Sequence, residues 1–234
     1  FTSECYGTAT TFTDQSNDNG GTTPINQWDW DFDGDGVIDV SSQNPTFVYP
    51  AAGTYNTEIL VTSVLGCVDS ITIPVTVNPI PVAHFGLENV CLNTQGTFND
   101  SSTVATGTIT GWDWDFGDAA GTSVVPSPSY TYTAAGIYNV SLTVTSDSGC
   151  THNVVLPVEV YPNPIADFDT TDVCLNLAAQ FTDQSNGNGG TIDSWDWDFE
   201  NDGTVDDNNQ NPSHFYPADG VYTIELITTT TSGC

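Results

Sequence analysis

The chain has 234 residues, 30 of them Asp or Glu and none Lys or Arg, for a formal net charge of −30. Without a single such cation it cannot hold nucleic-acid phosphates or an anionic membrane by its own charge, and it lacks the side chains for a P-loop lysine, an arginine clamp, a Schiff base or a lysine–asparagine isopeptide. No apolar run approaches the roughly 20 residues that span a bilayer, and no leader pattern opens the sequence, so a mature chain or an excised segment is expected.

In chain order the elements recur. Cys5 precedes Phe12-Thr13-Asp14, then come Trp28-Asp29-Trp30-Asp31-Phe32, Gly53-Thr54-Tyr55 and a Gly before Cys67. The second series is Cys91, Phe98-Asn99-Asp100, Trp112-Asp113-Trp114-Asp115-Phe116, Gly136-Ile137-Tyr138 and Cys150. The third is Cys174, Phe181-Thr182-Asp183, Trp195-Asp196-Trp197-Asp198-Phe199, Gly220-Val221-Tyr222 and Cys234. Self-similarity at one period is the mark of a tandem array. We read three domains, at 1–78, 79–162 and 163–234. Pro81-Val82-Ala83 and Pro164-Ile165-Ala166 have no counterpart before Phe1, and nothing after Cys234 matches Thr151 to Val160. The first repeat is therefore expected to have an incomplete N-terminal strand and the third to lack its last strand, as in a window on a longer array. The first and third repeats share Phe-Thr-Asp-Gln-Ser-Asn and Gln-Asn-Pro; the second has neither.

Within a repeat the apolar period is two: Val140, Leu142 and Val144 alternate with Ser141, Thr143 and Thr145. Alternation, β-branched residues and turn signals every 8–12 residues predict short strands and no helix. In the second repeat strands are expected near 82–87, 94–100, 109–116, 129–133, 137–146 and 150–160, with a short one in 121–125. This is an all-β, tandem, immunoglobulin-like antiparallel β-sandwich. One Trp of each pair is expected in the core, and Tyr138 at a tyrosine corner. The Pro-rich linkers Asn78–Pro81 and Tyr161–Pro164 predict an extended rod.

Trp114-Asp115-Phe116-Gly117-Asp118, then Pro128 to Tyr132, then Gly136 to Val144 resemble the PKD (polycystic kidney disease) domain family. The other repeats depart from it, at Phe32-Asp33-Gly34-Asp35-Gly36 and Phe199-Glu200-Asn201-Asp202-Gly203. The cysteine pair per repeat is similar to PKD arrays of large secreted and cell-surface proteins of Bacteroidetes-type bacteria. That resemblance implies a structural or adhesive role without catalysis.

The strongest chemical motif is Asp31, Asp33, Asp35, Gly36 and Asp39, repeated as Asp198, Glu200, Asp202, Gly203 and Asp206. Alternate carboxylates with Gly at the sixth position can wrap a hard cation, and Ca2+ is the expected cofactor at both loops. Ser42 and Asn209 replace the Glu that would complete an EF-hand, and Ala119 and Ala120 break the corresponding run in the second repeat. The competing reading is a solvated acidic turn.

Six cysteines with no CxxC point to disulfides rather than zinc. Pairing within repeats is the obvious choice, but the predicted topology opposes it. Cys91 lies between the first and second strands and Cys150 just after the last hairpin, at opposite ends of a sandwich. Nine residues of strand span about 30 Å, against roughly 7 Å between bridged Cα atoms. Where two domains abut, those ends meet. We therefore expect Cys5–Cys150 and Cys91–Cys234, with partners of Cys67 and Cys174 outside this window.

Trp28, Trp112 and Trp195, if exposed, would be platforms for polysaccharide; packing at the sandwich edge is the plainer reading. Asn99 and Asn139 stand in N-glycosylation sequons, and Ser70 and Thr170 follow Asp as in O-glycosylated Bacteroidetes-type proteins. His214 aligns with Phe47 and Tyr130, a packing position. The reading is a non-enzymatic extracellular or bacterial cell-surface segment of a stalk or filament, stiffened by disulfides and calcium. Its expected partners are further PKD-like repeats of the same or neighbouring chains, and a polysaccharide or surface ligand, with no nucleic acid and no membrane insertion. A glycan-binding array, or an accessory segment of a large secreted hydrolase, is the alternative.

Overall fold

The computed structural model describes residues 4–18, 20–21, 23–87 and 90–234. All regular structure among them is β, built as tandem β-sandwiches. No helix of these residues is long and apolar enough to cross a membrane. Two compact units emerge. One holds Phe1–His84, Ser101–Asp113 and Leu142–Val154; the other holds Phe85–Asp100, Trp114–Ser141 and Val155–Cys234. The middle repeat is thus shared between the units.

In the first repeat the larger sheet runs Glu4–Cys5, Val68–Asn78, Gly53–Ser63, Ile25–Asp31, Val40–Ser41, and Thr10–Thr11 pairs with Thr46–Phe47 opposite. The long hairpin Gly53–Ser63/Val68–Asn78 is in register from Gly53↔Val77 to Thr62↔Val68. Alternation then sends Thr57, Ile59, Val75 and Val77 inward. They meet Phe12, Trp30, Phe32 and Tyr49 in one cluster. Burying each large apolar side chain contributes about 1.5–3 kcal/mol.

The middle repeat keeps this order, with Thr122–Ser123, Ile109–Asp115, Gly136–Ser146, Thr151–Tyr161 and Val90–Cys91 in its larger sheet. Two features depart from the expected strands. The segment expected as one strand over 94–100 is two, Gln95–Thr97 and Asn99–Asp100, which pair with Ser129–Thr131 and Phe85–Gly86 respectively. Buried Phe98 marks the changeover, its N–H donating to the Pro128 carbonyl. Val90–Cys91 is a parallel edge strand that period-two patterning missed, because two residues carry no period.

In the third repeat Ile192–Asp198 pairs with Glu225–Thr230. Ala178–Asp183 lies between Phe168–Thr170 and Ser213–Phe215. Trp197, Phe181, Phe199, Ala179 and Leu226 form its core. Trp30, Trp114 and Trp197 are the buried members of the three pairs. A tyrosine corner closes each repeat: the hydroxyls of Tyr55, Tyr138 and Tyr222 donate to Ala51, Ala134 and Ala218 carbonyls.

Candidate metal centres and disulfide bridges

The acidic loops begin where the tryptophan strand ends. The main chain turns back at Asp31, which is buried, and its two oxygens accept the Gly34 and Gly36 N–H groups at 2.7 Å each. Both glycines have positive φ, and a Cβ at Gly34 would lie 2.9 Å from the Asn56 carbonyl oxygen, so glycine is required there. Asp39 closes the loop by accepting Phe32 N–H at 2.7 Å. Folding brings one oxygen each of Asp31, Asp33 and Asp39 within 4.8 Å of one another. Oxygens bound to one Ca2+ at 2.3–2.6 Å cannot lie farther apart than about twice that, so the set fits one hard cation. Asp35 stands outside this group; its Oδ1 accepts Val37 N–H at 2.8 Å. Of the four carboxylates expected at this loop, three converge.

The third repeat builds the same loop. Asp198 accepts from Asp202 N–H at 3.1 Å and Gly203 N–H at 2.7 Å, and Asp206 accepts from Phe199 N–H at 2.8 Å. Burial raises the Asp198 pKa, but the N–H groups of Gly203, Asp202, Asn201 and Glu200 outweigh it, leaving the carboxyl below its ordinary 3.8. Asp198, Glu200 and Asp206 converge as the first trio does. Asp202 again stands aside, accepting from Thr204 N–H at 2.9 Å.

The middle repeat solves the loop without a trio. Asp115 accepts from Gly117 N–H at 2.8 Å, and Asp118 from Ala120 and Gly121 N–H groups. The Tyr130 hydroxyl donates to the other Asp118 oxygen. That bond above all holds the Asp118 carboxyl below 3.8, and it is the first cause of Tyr130 being pushed up to about 12. Tyr130 stacks on Phe116 at 4.1 Å between ring centroids. Phe47 stacks on Phe32 and His214 on Phe199 in the same way, each at 4.3 Å. His214 also turns Nε2 to Glu200 Oε1 at 3.0 Å.

The other expected sites fall as follows. Trp28 and Trp195 are half-buried against their cores. The Trp28 Nε1–H donates to Asp14 at 2.7 Å. Trp112 is half-buried. Burial pushes Asp14 up, yet hydrogen bonds from Ser16, Gln43 and Trp28 take it below 3.8. Asn99, Asn139, Ser70 and Thr170 are all exposed.

Cys5 and Cys150 are bonded, with Cα atoms 5.7 Å apart, and Cys91 and Cys234 likewise at 5.5 Å. The unanticipated parallel strands explain the geometry. Glu4–Cys5 runs beside the end of Val68–Asn78, and Val90–Cys91 beside the end of Thr151–Tyr161. Each cysteine thus stands where its own repeat hands the chain to the next. Cys67 and Cys174 are free and exposed thiols.

Against this geometry the sequence of the PKD domain matches three times, over residues 2–78, 77–160 and 161–234. The chain belongs to the PKD domain family. Over 130 residues these PKD repeats are 34% identical to the Pre-pro-metalloprotease PrtV of Vibrio cholerae, a match covering 54% of this chain and 14% of that protein's length. Among solved structures, the PKD1 domain of Vibrio anguillarum Epp is 37% identical, covering 36% of this chain and 95% of that one, with a TM-score of 0.34. The PKD1 domain of V. cholerae PrtV is 36% identical, covering 35% and 96%, with a TM-score of 0.32.

Proposed function

We propose that this chain is a non-catalytic structural segment of an extracellular bacterial protein: a tandem PKD stalk braced by disulfides and by calcium at the Asp31 and Asp198 loops. The observation that carries this reading is that one repeated domain accounts for the chain from residue 2 to 234. Three copies of an active site in a row would serve no evident chemistry, whereas three copies of a spacer extend it. Two disulfides support an oxidising, extracellular setting. The adhesive stalk or filament role extends this reading, with further PKD repeats as partners of Cys67 and Cys174.

A second reading is an accessory segment of a larger hydrolase, favoured by the match to a metalloprotease. Both readings predict the same bracing. Reducing the disulfides, whose cysteines are 145 and 143 residues apart, should lower the melting temperature strongly. The chain-entropy model gives about 4–5 kcal/mol for loops of that size. Titration with soluble glycans tests the spacer role: saturable binding would refute a pure spacer, and an unchanged melt on reduction would refute the bracing.

A further inference from the structure

The two disulfides interlace. Along the chain their cysteines stand in the order Cys5, Cys91, Cys150, Cys234, and the bonds join the first to the third and the second to the fourth. The two loops they close share only the segment from Cys91 to Cys150. The shortest covalent route from Cys5 to Cys234 therefore crosses to Cys150, runs backward through the middle repeat to Cys91, and crosses to Cys234. It leaves out everything from Tyr6 to Val90 and from Thr151 to Gly233. At about 3.3–3.6 Å per extended residue, the roughly 60 residues of this route reach about 200 Å, whereas the roughly 230 residues of the unbridged chain reach about 780 Å.

Both points at which this route enters the middle repeat lie on one strand. Cys150 directly precedes Thr151–Tyr161, and Cys91 stands beside that strand's other end, paired parallel at Val160↔Val90 and Tyr161↔Cys91. The Leu92 N–H adds a bond to the Tyr161 carbonyl at 2.8 Å. Cys150 is set into the fold: it is buried, its N–H donates to Ser146 Oγ at 3.1 Å, and its carbonyl accepts the Ser146 N–H at 2.9 Å. Drawing Cys150 and Cys91 apart pulls Val90–Cys91 and Thr151–Tyr161 past each other along their length. The bonds between two parallel strands run across that direction, so they resist together rather than opening one after another.

We propose that the interlaced bonds make the middle repeat a tension element with a fixed limit of extension. A pull on the chain is carried between Cys150 and Cys91, along Thr151–Tyr161, while the first and third repeats stay unloaded. The inference deepens the stalk reading and rests on it for its use. It also gives the carboxylate trios a sheltered place, since Asp31, Asp33 and Asp39 and Asp198, Glu200 and Asp206 all lie in the parts that the route leaves out.

Single-molecule stretching of the intact chain, with handles ligated to its two termini so that Cys67 and Cys174 are left untouched, tests this. The oxidised chain should stop lengthening at about 200 Å between Cys5 and Cys234, and the chain treated with a phosphine reductant at about four times that. Cys5→Ser or Cys91→Ser alone should raise the oxidised limit only about 1.4-fold, because the remaining bond still leaves a route of roughly 85 residues, and the two together should reach the reduced limit. These lengths are read on the unfolded chain, so they hold whatever a variant does to stability. Leu92→Pro removes the N–H given to Tyr161 and should lower the force at which the middle repeat opens. Tyr6→Pro removes the equivalent N–H of the first repeat, which donates to the Asn78 carbonyl at 2.8 Å, and should leave that force unchanged. Equal limits for oxidised and reduced chains, a fourfold gain from one cysteine replacement, or an equal loss of force in the two proline variants would overturn the proposal. Failure of the bracing reading is a separate result, an unchanged melt on reduction.

Discussion

The acidic loop of the first repeat and its equivalent in the second differ in their carboxylates and in the aromatic residue packed against them, Phe47 or Tyr130. Where Phe47 stacks on Phe32, the loop gathers Asp31, Asp33 and Asp39 with no side-chain donor from that ring. Where Tyr130 stacks on Phe116, its hydroxyl donates into the loop, to Asp118. The third repeat lies between them, with a carboxylate trio and His214 beside one member. One scaffold therefore carries three different sets of polar groups at the same loop, and the residue at the aromatic position differs with them. A carboxylate cluster must find donors or a cation, because like charges brought together disfavour ionisation.

The largest expected effect is that of calcium. A ligand held only by the folded state stabilises it by about 3–4 kcal/mol at 100–1,000 times its Kd. Adding chelator should therefore lower the melting of the first and third repeats by on the order of 10 °C or more, at roughly 4–8 °C per kcal/mol for domains this small. Asp33→Asn together with Glu200→Gln should abolish that dependence. Resonances of the Asp118 loop should be indifferent to calcium, and a chelator effect there would break the comparison.

Next in size is Tyr130→Phe, which removes a donor to a charged carboxylate at a cost of about 1–2 kcal/mol. The Asp118 carboxyl, held below 3.8 in the folded state, contributes stability that is complete above 3.8 and is lost as pH falls through the folded value. The variant should move the Asp118 titration, followed by carboxyl NMR, back toward 3.8. The same bond has an alkaline signature. Tyr130, raised from 10.0 to about 12, contributes stability that is complete below pH 10 and lost as pH climbs toward 12. Tyrosinate absorbance should show it ionising well above pH 10; ionisation at pH 10 would contradict the hydrogen bond.

The smallest effect is expected for His214→Phe, which gives the third repeat the aromatic of the first. The His214–Glu200 pair is partly exposed, and such pairs contribute about 1 kcal/mol or less. A melting change beyond that range would mean that the ring does more than stack. Phe47→His should carry the interaction to Asp33 of the first repeat and reduce its response to chelator.

By itself the sequence determined what repeats locally. The Trp-Asp-Trp-Asp-Phe runs, the Gly-x-Tyr corners and the period-two strands are short-range patterns, and they yield the number of repeats, the β-sandwich and the position of the acidic loops. Only the tertiary structure decided which members of each pattern act. Trp30 and Trp28 lie on the same alternating face, yet Trp30 is buried and Trp28 lies at the margin with its N–H on Asp14. Asp35 reads like its neighbours, yet it stands outside the group that Asp31, Asp33 and Asp39 form. Cys91 meets Cys234 as the sequence led us to expect, but the strand that holds it there, Val90–Cys91 running parallel to the end of Thr151–Tyr161, has no trace in either segment's own pattern. A side chain's period is set by its neighbours in sequence, whereas its partner is set by distances of a few ångströms between segments far apart in the chain.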